Sequence, residues 1–543
     1  MAKNYIGIDL GTTEITLSVI EMQKKGDNPI EKLRSLDIHQ FNVNHELDRN
    51  NKKLQSSIYI DRDNKRVYTG EYAKKLYTDG NRPLNTVRSV KTRIGGESMI
   101  DIPLDSDKSN LKSYNMTELT AVLLKTVKKS IDKQINGTIE DVTITIPAGF
   151  NSDERNATID AATMAGFPDI HLLDEPTAVL LNFLNSPENS LNIADDFFKK
   201  PKNIVVYDIG GGTLDISIAK VEDNGDFDVD ILSRSKRMDF GGDNIDKYIS
   251  SYFLHEFEKK HKPLEERTPR EQAMIVSRVI ANAEKSKIAF SQEIAKYIGN
   301  ERRKKMVKES INFEAIDNFK ILDLTLTDEL LKDILQDVIS SSGVLLKPLK
   351  ETLQRAKLES ADIDLVILTG GSGKFYLVEE TLRNIFPNTD IEQFTNYDAV
   401  SKGASIHSFN QNNEELKSIN IADVMSDSIY IKKEKGFDKI VPHNQRTNTK
   451  GSYTFIFENP TDRLELFLYY GSDNEKVYHY KEIIGIFKQL ERNYKKGEKL
   501  ELQWEFDSNK TIKLFLNAKE IISSDNKQLQ RSELLDIFTL KTI

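Results

Sequence analysis

The sequence predicts a duplicated α/β domain followed by an all-β sandwich, and three observations predict it. The first is an internal repeat. Residues 5–20 read YIGIDLGTTEITLSVI and residues 204–219 read IVVYDIGGGTLDISIA. Each is an apolar strand, an Asp, an apolar residue, a Gly, a small polar turn and a second strand; Asp9 answers Asp208 and Gly11 answers Gly210. A short Gly/Thr link between such strands signals a hairpin. The second observation is the alternation of β and α patterns to about residue 410, which marks an α/β domain. The third is a change of period beyond it. Leu500, Leu502, Trp504 and Phe506 alternate with Glu501, Gln503 and Glu505, and Leu464, Leu466, Leu468, Ile512, Leu514 and Leu516 continue the theme. Strands at that density, separated by polar turns, read as a sandwich.

The elements follow in order. Residues 116–135 have helical spacing, with Leu119, Val122, Leu123 and Val127 on one face. Residues 141–146 form a β-branched strand ended by Pro147, and 151–165 a helix capped by Ser152 or Asp153. Long polar helices are predicted over 243–262 and 268–292, then a buried-type strand over 364–369, a turn over 370–373 and a helix over 375–386. The polar, unpatterned run NQNNEELKS at 410–418 reads as a linker. The expected organisation is a first domain over 1–412, a linker over 413–423, a β-sandwich over 424–522 and a short helix or tail over 523–543.

Composition excludes several classes. The 543 residues are 38% hydrophobic and 30% charged, enough for several cores under a solvated surface. A formal net charge of −9 argues against wrapping nucleic acid. The absence of cysteine removes disulfides, thiolate zinc sites and cysteine nucleophiles, and fits a reducing cytoplasm. The first residues lack a signal-peptide apolar region, and no apolar run approaches a membrane span, so a cytoplasmic protein is expected. His255 and His261 do not have HExxH spacing, and their residue types suit a solvated helix face. Gly370-Gly371-Ser372-Gly373-Lys374 lacks the spacing of a Walker A loop and the Ser/Thr after its Lys.

Phosphates need backbone N–H groups that approach closely, which Gly-rich turns permit. The chain has three: Gly11-Thr12-Thr13, Gly210-Gly211-Gly212-Thr213 and Gly370-Gly371-Ser372-Gly373. Magnesium takes oxygen ligands and keeps several waters. Asp9, Asp208 and Asp215 sit in the two hairpins; facing each other across a cleft they would hold Mg²⁺–phosphate waters, whereas alone each would cap its own turn.

On these residues the chain resembles the DnaK, or heat shock protein 70, family. IGIDLGTT is similar to its first phosphate loop and VVYDIGGGTLDISI to its second. Residues 141–178, AEKSKIAFS at 283–291, LTGGSGKF at 368–375 and DVMSDSIYI at 423–431 resemble further family segments in the same order. The resemblance implies an actin-like, duplicated ribonuclease-H-like ATPase domain and a peptide-binding sandwich. It implies that Lys91 orients the attacking water, that Asp9, Asp208 and Asp215 surround Mg²⁺ and K⁺, and that Thr12, Thr13 and Thr213 serve the phosphate loops. Glu175 would join the phosphate site to the domain interface, with Pro147 as switch and Arg155 as relay. Glu284, Lys287, Ser291, Gly370, Gly371 and Lys374 would form the adenosine pocket. Without the family, Lys91 reads as part of a basic face with Lys74, Arg88 and Arg93, Glu175 as a loop carboxylate and Lys287 as a solvent-facing lysine.

Departures from the family pattern are Lys374 for an arginine, Gly149 for an aromatic residue, and Glu14 beside the first loop, where a carboxylate would repel phosphate. The segment Ile419-Asn420-Ile421-Ala422-Asp423 keeps the family's Asp but not its leucines, which predicts weak docking on the first domain. No full helical lid is expected after the sandwich. The implied function is an ATP-hydrolysing chaperone for extended apolar segments of unfolded proteins. Its implied cofactors are ATP/ADP, Mg²⁺ and K⁺, and its implied partners are J-domain and nucleotide-exchange co-chaperones, with neither nucleic acid nor membrane. Two alternatives stand: an ATP-binding regulator or co-chaperone with little hydrolysis, and a small-metabolite kinase, against which the sandwich argues.

Overall fold

The computed structural model describes residues 3–25, 28–96, 98–185, 196–297, 300–316, 319–394, 396–413, 419–433, 436–447, 449–471, 481–507, 509–517, 519–522, 533–536 and 539–540. The repeat folds into two sheets of one topology. In the first lobe the strands β1 (Lys3–Leu10), β2 (Glu14–Lys25), β3 (Asn28–Ser35), β4 (Thr138–Ile146) and β5 (Ile170–Asp174) lie in the order β3-β2-β1-β4-β5. In the second lobe β6 (Lys202–Ile209), β7 (Leu214–Asp223), β8 (Phe227–Arg234), β9 (Leu365–Thr369) and β10 (Asp390–Gln393) lie in the order β8-β7-β6-β9-β10. The register repeats as well: Asp9 of β1 lies opposite Thr145 of β4, and Asp208 of β6 opposite Thr369 of β9, both in parallel pairs.

Alternate side chains of β1 serve two cores. Ile6, Ile8 and Leu10 join the first lobe's core with Leu119, Val122, Leu123 and Val127 of α1 (Met116–Asp132) and Ala161 and Ala162 of α2 (Ser152–Ala165). Tyr5 faces a core shared by both lobes. The cap of α2 is Asn151, not Ser152 or Asp153: its side chain accepts from the N–H groups of Asp153 and Glu154, and Glu154 returns the bond. The second lobe adds α4 (Gly242–Glu258) and α5 (Pro269–Ala295), the latter opened by Thr268 and a Pro in its first turn.

Two helices cross between the lobes. α3 (Glu175–Asn185) follows β5 of the first lobe yet packs on β6 and β7 of the second. α6 (Ala399–Asn412) follows β10 of the second lobe yet packs on β1, β2 and β4 of the first. Their approach is at backbone distance: a Cβ on Gly7 would lie 2.1 Å from the Ser401 carbonyl oxygen, and one on Gly403 1.8 Å from that of Ala178. No side chain fits at either position.

The described end of the predicted linker, residues 419–422, is part of the second lobe. Residues 414–418 lie outside the described residues, but β11 (Ile419–Ala422) pairs in parallel with β8, Ile419 opposite Phe227 and Ala422 opposite Asp230. Ile419 is buried and Ile421 half-buried, while Asn420 and Ala422 face outward, Asn420 donating to Asp228 at 3.2 Å. The expected weakening at positions 420 and 422 therefore falls on the solvent face, and the two isoleucines seat the strand.

The sandwich has two four-stranded sheets. One runs β13 (Phe437–Val441), β12 (Ser428–Lys432), β15 (Thr461–Gly471), β16 (Lys481–Tyr494); the other runs β14 (Lys450–Ile456), β17 (Lys499–Phe506), β18 (Ile512–Leu516), β19 (Lys519–Ile522). Ile429, Ile431, Leu464, Leu466 and Leu468 meet Leu500, Leu502, Trp504, Phe506, Leu514 and Leu516 between them. In the tail, Glu533–Asp536 is one helical turn and Thr539–Leu540 a short strand. Among the described residues, no helix is long and apolar enough to cross a membrane.

Candidate functional site

The two hairpin turns face each other. A Cβ on Gly211 would fall 1.9 Å from Thr13 Oγ1, and one on Gly212 2.6 Å from Thr12 Cγ2. The first turn is braced by Ser56, whose hydroxyl donates to the Gly11 carbonyl and whose N–H donates to that of Thr13, both at 2.8 Å. The second closes by the Gly210 N–H donating to the Thr213 carbonyl at 3.0 Å. The third turn presses on it from behind. Gly370 has φ +84°, and a Cβ there would meet the Ile209 carbonyl oxygen at 2.2 Å and Asp208 Oδ1 at 2.6 Å. A fourth turn, Gly241-Gly242, joins them, its Gly242 N–H donating to the Gly210 carbonyl at 3.0 Å.

Below the turns lies an acidic cluster in which Asp208, Asp215 and Glu175 are buried and Asp9 half-buried. Asp9 accepts from Thr145 Oγ1 at 3.2 Å, and Asp215 accepts the Ala148 N–H at 2.9 Å across from the other lobe, so neither caps its own turn. Burial, then Glu175, push Asp9 and Asp215 each up to about 7. Asp208, opposite Asp215 in the hairpin, is raised by burial, then by Glu175, Asp215 and Asp9. The cation offsetting all three is Lys91, buried and paired with Glu175, the first residue of α3. Lys91 is thus no member of a solvated basic face. Four carboxylates against one ammonium leave a surplus of negative charge, and Asp215 Oδ2 is buried without a hydrogen-bond partner among the described residues. That arrangement fits a cation. Asp9, Asp208 and Asp215 do not converge as a direct trio of ligands: among the described residues, only Asp61, Asp63 and Asp105 bring three acidic oxygens within 4.8 Å of one another. Asp9, Asp208 and Asp215 suit an ion that keeps its own waters.

The residues expected at the adenosine pocket line one side of this floor. Lys287 is buried, 2.8 Å from Asp246, and donates to the Gly242 carbonyl at 3.3 Å. Ser291 donates to the Lys374 carbonyl and accepts from the Tyr376 N–H, both at 3.0 Å, which ties α5 to the third turn. Glu284 pairs across the cleft with Lys74 of the first lobe at 2.9 Å and borders a groove of about 540 Å³ with Thr78, Ile288 and Gln292. Gly371 and the Lys374 side chain are exposed. Glu14 is held by partners of its own, Lys53 on one oxygen at 2.5 Å and Gln55 on the other at 2.8 Å, while its charge remains among the causes that raise Asp9. Gly149 has a packing reason, since a Cβ there would lie 2.4 Å from the Arg237 backbone.

A second buried cluster joins lobes, linker strand and sandwich. Pro147 is buried at the end of β4, and Arg155 on α2 donates to Asp174 at 2.9 Å and to the Asn509 carbonyl of the sandwich at 3.2 Å. Asp423 accepts from Arg234 at 2.7 Å, and Arg234 also reaches Asp174 at 3.3 Å and Thr177 at 2.6 Å. Lys510 of the sandwich lies 2.5 Å from Asp174 and 2.6 Å from Asp423. Burial pushes both carboxyls up, but the surrounding cations outweigh it: Lys510, then Arg155 and Arg234, hold Asp174 well below the usual carboxylate range, and Arg234, then Lys510, hold Asp423 below it. Tyr470 adds a contact, its hydroxyl 2.7 Å from Ser152 Oγ. Sequence reading missed Asp174, Arg234, Lys510 and Tyr470; Asp174 stood inside the LLDEPTA run, but nothing local marked Lys510.

The family model described as Hsp70 protein matches residues 51–530. The first hairpin precedes that match and rests on the repeat and its geometry. The chain is 28% identical over 459 residues to the chaperone protein DnaK of Thermosipho melanesiensis, covering 83% of this chain and 68% of that one. It is 28% identical over 476 residues to DnaK of Thermosipho africanus, covering 86% and 70%. With DnaK of Thermotoga neapolitana the identity is 26% over 474 residues, with the same two shares, 86% and 70%.

Proposed function

This chain belongs to the Hsp70 family, and from that premise we propose that its opposed Gly turns bind the phosphates of ATP and that nucleotide there sets the hold of the sandwich on an extended peptide. It is an ATP-dependent chaperone and an ATPase. We read the two lobes as an actin-like nucleotide domain and the sandwich as the peptide domain, in a cytoplasmic protein that works with J-domain and exchange partners. The observation that carries the site is the pairing of Gly211 and Gly212 with Thr13 and Thr12 above a floor of four acids and one buried lysine.

Phosphoryl transfer needs positioning and charge neutralisation more than covalent chemistry. The turns supply N–H groups that no side chain obstructs, and the Thr12, Thr13 and Thr213 hydroxyls border them. Lys91 is buried and paired with Glu175; moved from Glu175 to a γ-phosphate oxygen, its ammonium would steady the in-line geometry of water attack. Asp9, Asp208 and Asp215 would hold hydrated Mg²⁺, with K⁺ beside it, which supplies neutralisation of phosphate charge. Glu284, Lys287, Ser291, Gly370, Gly371 and Lys374 would take the nucleoside. Glu175 joins this floor to α3, and Asp174, the residue before it, anchors the sandwich through Lys510.

Single-turnover hydrolysis of ATP in Mg²⁺, with and without an apolar peptide, tests the reading. The expected result is hydrolysis well above the Lys91→Ala variant, changed by peptide. ATP bound without hydrolysis above that variant would make the chain a nucleotide-binding regulator instead.

A further inference from the structure

The segment after the sandwich returns to the first lobe. There Arg66–Thr69 is the edge of a small sheet with Ser57–Asp61 and Thr86–Arg88. Thr539–Leu540 adds to that edge in parallel, Thr539 opposite Arg66 and Leu540 opposite Val67. Just before it, the turn Glu533–Asp536 rests on α1. Leu534 is 2% exposed and belongs to the first lobe's core, Leu535 packs beside it, and Lys125 of α1 donates to the Leu535 carbonyl at 3.4 Å. An open sheet edge offers unpaired N–H and C=O groups and takes extended segments by adding a strand. An apolar hole beside the edge selects which segment.

We propose that this edge and hole form a peptide site on the nucleotide-binding half of the molecule, distinct from any in the sandwich, and that its occupant is the chain's own segment 533–540. Occupied in this way, it is a second tie between sandwich and first lobe. Ten residues separate Ile522, the last of β19, from Glu533. A chain of that length spans at most ~40 Å however it runs. The sandwich can therefore leave the lobes only within that radius while the segment stays seated, and further travel requires Leu534 to come out of the core.

The test is amide hydrogen exchange of Arg66–Thr69 in the full chain, with Leu534→Asp and, since that substitution touches the lobe's core, Thr539→Pro as a second variant that leaves Leu534 in place. Exchange at 66–69 is expected to be at least tenfold faster in both variants, with α1 still protected. A synthetic peptide of residues 531–543, added to the Leu534→Asp chain, whose hole is vacant, is expected to restore protection at 66–69, and its Leu534→Asp version is not. An unrelated apolar peptide that occupies the sandwich is expected to leave 66–69 unchanged. Unaltered exchange in the Thr539→Pro chain, or binding of the 531–543 peptide without protection at 66–69, would overturn the site. Protection in the native chain that fades on dilution would assign the occupant to a second copy and overturn the intramolecular tie.

Discussion

Replacing Lys510 by Met should loosen the sandwich from the lobes without unfolding either. Lys510 is the sandwich's charge in the junction cluster, with 11% of its side chain exposed and two carboxylates within 2.6 Å. Losing one member of a buried pair costs ~3–5 kcal/mol when it strands the other. Here it strands neither: Asp174 keeps Arg155 at 2.9 Å and Arg234 at 3.3 Å, and Asp423 keeps Arg234 at 2.7 Å. Three cations against two anions also become two against two, and Met fills most of the lysine's volume. The remaining loss is that of two charge-assisted bonds less the relief of burying an ammonium, about 1–2 kcal/mol. That moves a docking equilibrium ~5- to 30-fold. The chain has no cysteine, so a dye pair at Lys133→Cys and Lys499→Cys reports the distance between first lobe and sandwich directly. Arg234→Met is the contrast. Arg234 is wholly buried and binds Asp423, Asp174, Thr177 and Ser217, and its removal should cost ~3–5 kcal/mol of global stability. A Lys510→Met chain whose docked fraction stays within twofold of native would refute the reasoning, as would one that unfolds like Arg234→Met.

Lys91→Ala should lower single-turnover hydrolysis at least tenfold, ~1.4 kcal/mol of barrier, while ATP affinity by calorimetry changes far less, because the lysine acts on the transition state. A fragment of residues 1–424 should resist urea better than one of residues 1–412 by ~2–3 kcal/mol, the worth of burying Ile419 and part of Ile421; equal midpoints would mean that β11 adds nothing to the second lobe. Asp427→Asn tests a pH dependence. Burial pushes the Asp427 carboxyl up to about 6, against the pull of Arg355 and Lys236. A raised carboxyl adds stability that is full below its unfolded value near 4 and lost as pH rises through 6. The variant should therefore match the native chain at pH 4 and exceed it by ~3 kcal/mol above pH 7, as read by urea midpoints across that range; a gap that shrinks with rising pH would reverse the assignment.

The site's plan was legible where it depends on local repetition. Asp9 and Asp208 could be matched because each occupies the same place in a strand–turn–strand pattern, and their opposite partners Thr145 and Thr369 then follow from the same topology. The cap of α2 was not, since Asn151, Ser152 and Asp153 stand in a row and each side chain can cap. The linker strand was misjudged through its register. Period-two alternation puts Ile419 and Ile421 on one face and Asn420 and Ala422 on the other, so the polar substitutions cost little burial. Glu14 looked hostile to phosphate because Lys53, which neutralises it, is 39 residues away. Lys510 was beyond reach: a turn lysine has no local mark, and its partner Asp174 is 336 residues distant.

The crossed helices have a mechanical consequence. α3 issues from the first lobe and bears on the second, and α6 issues from the second and bears on the first. The backbone contacts at Gly7 and Gly403 have no side-chain cushion to absorb displacement. Each helix is thus a crank pinned to one body and seated in the other. If the lobes turn relative to each other, α6 travels with β1 while β10 before it and β11 after it stay with the second lobe. Any such turn therefore falls on the two joints of α6, with β10 before it and with the strand that begins at Ile419 after it, the strand from which the sandwich hangs.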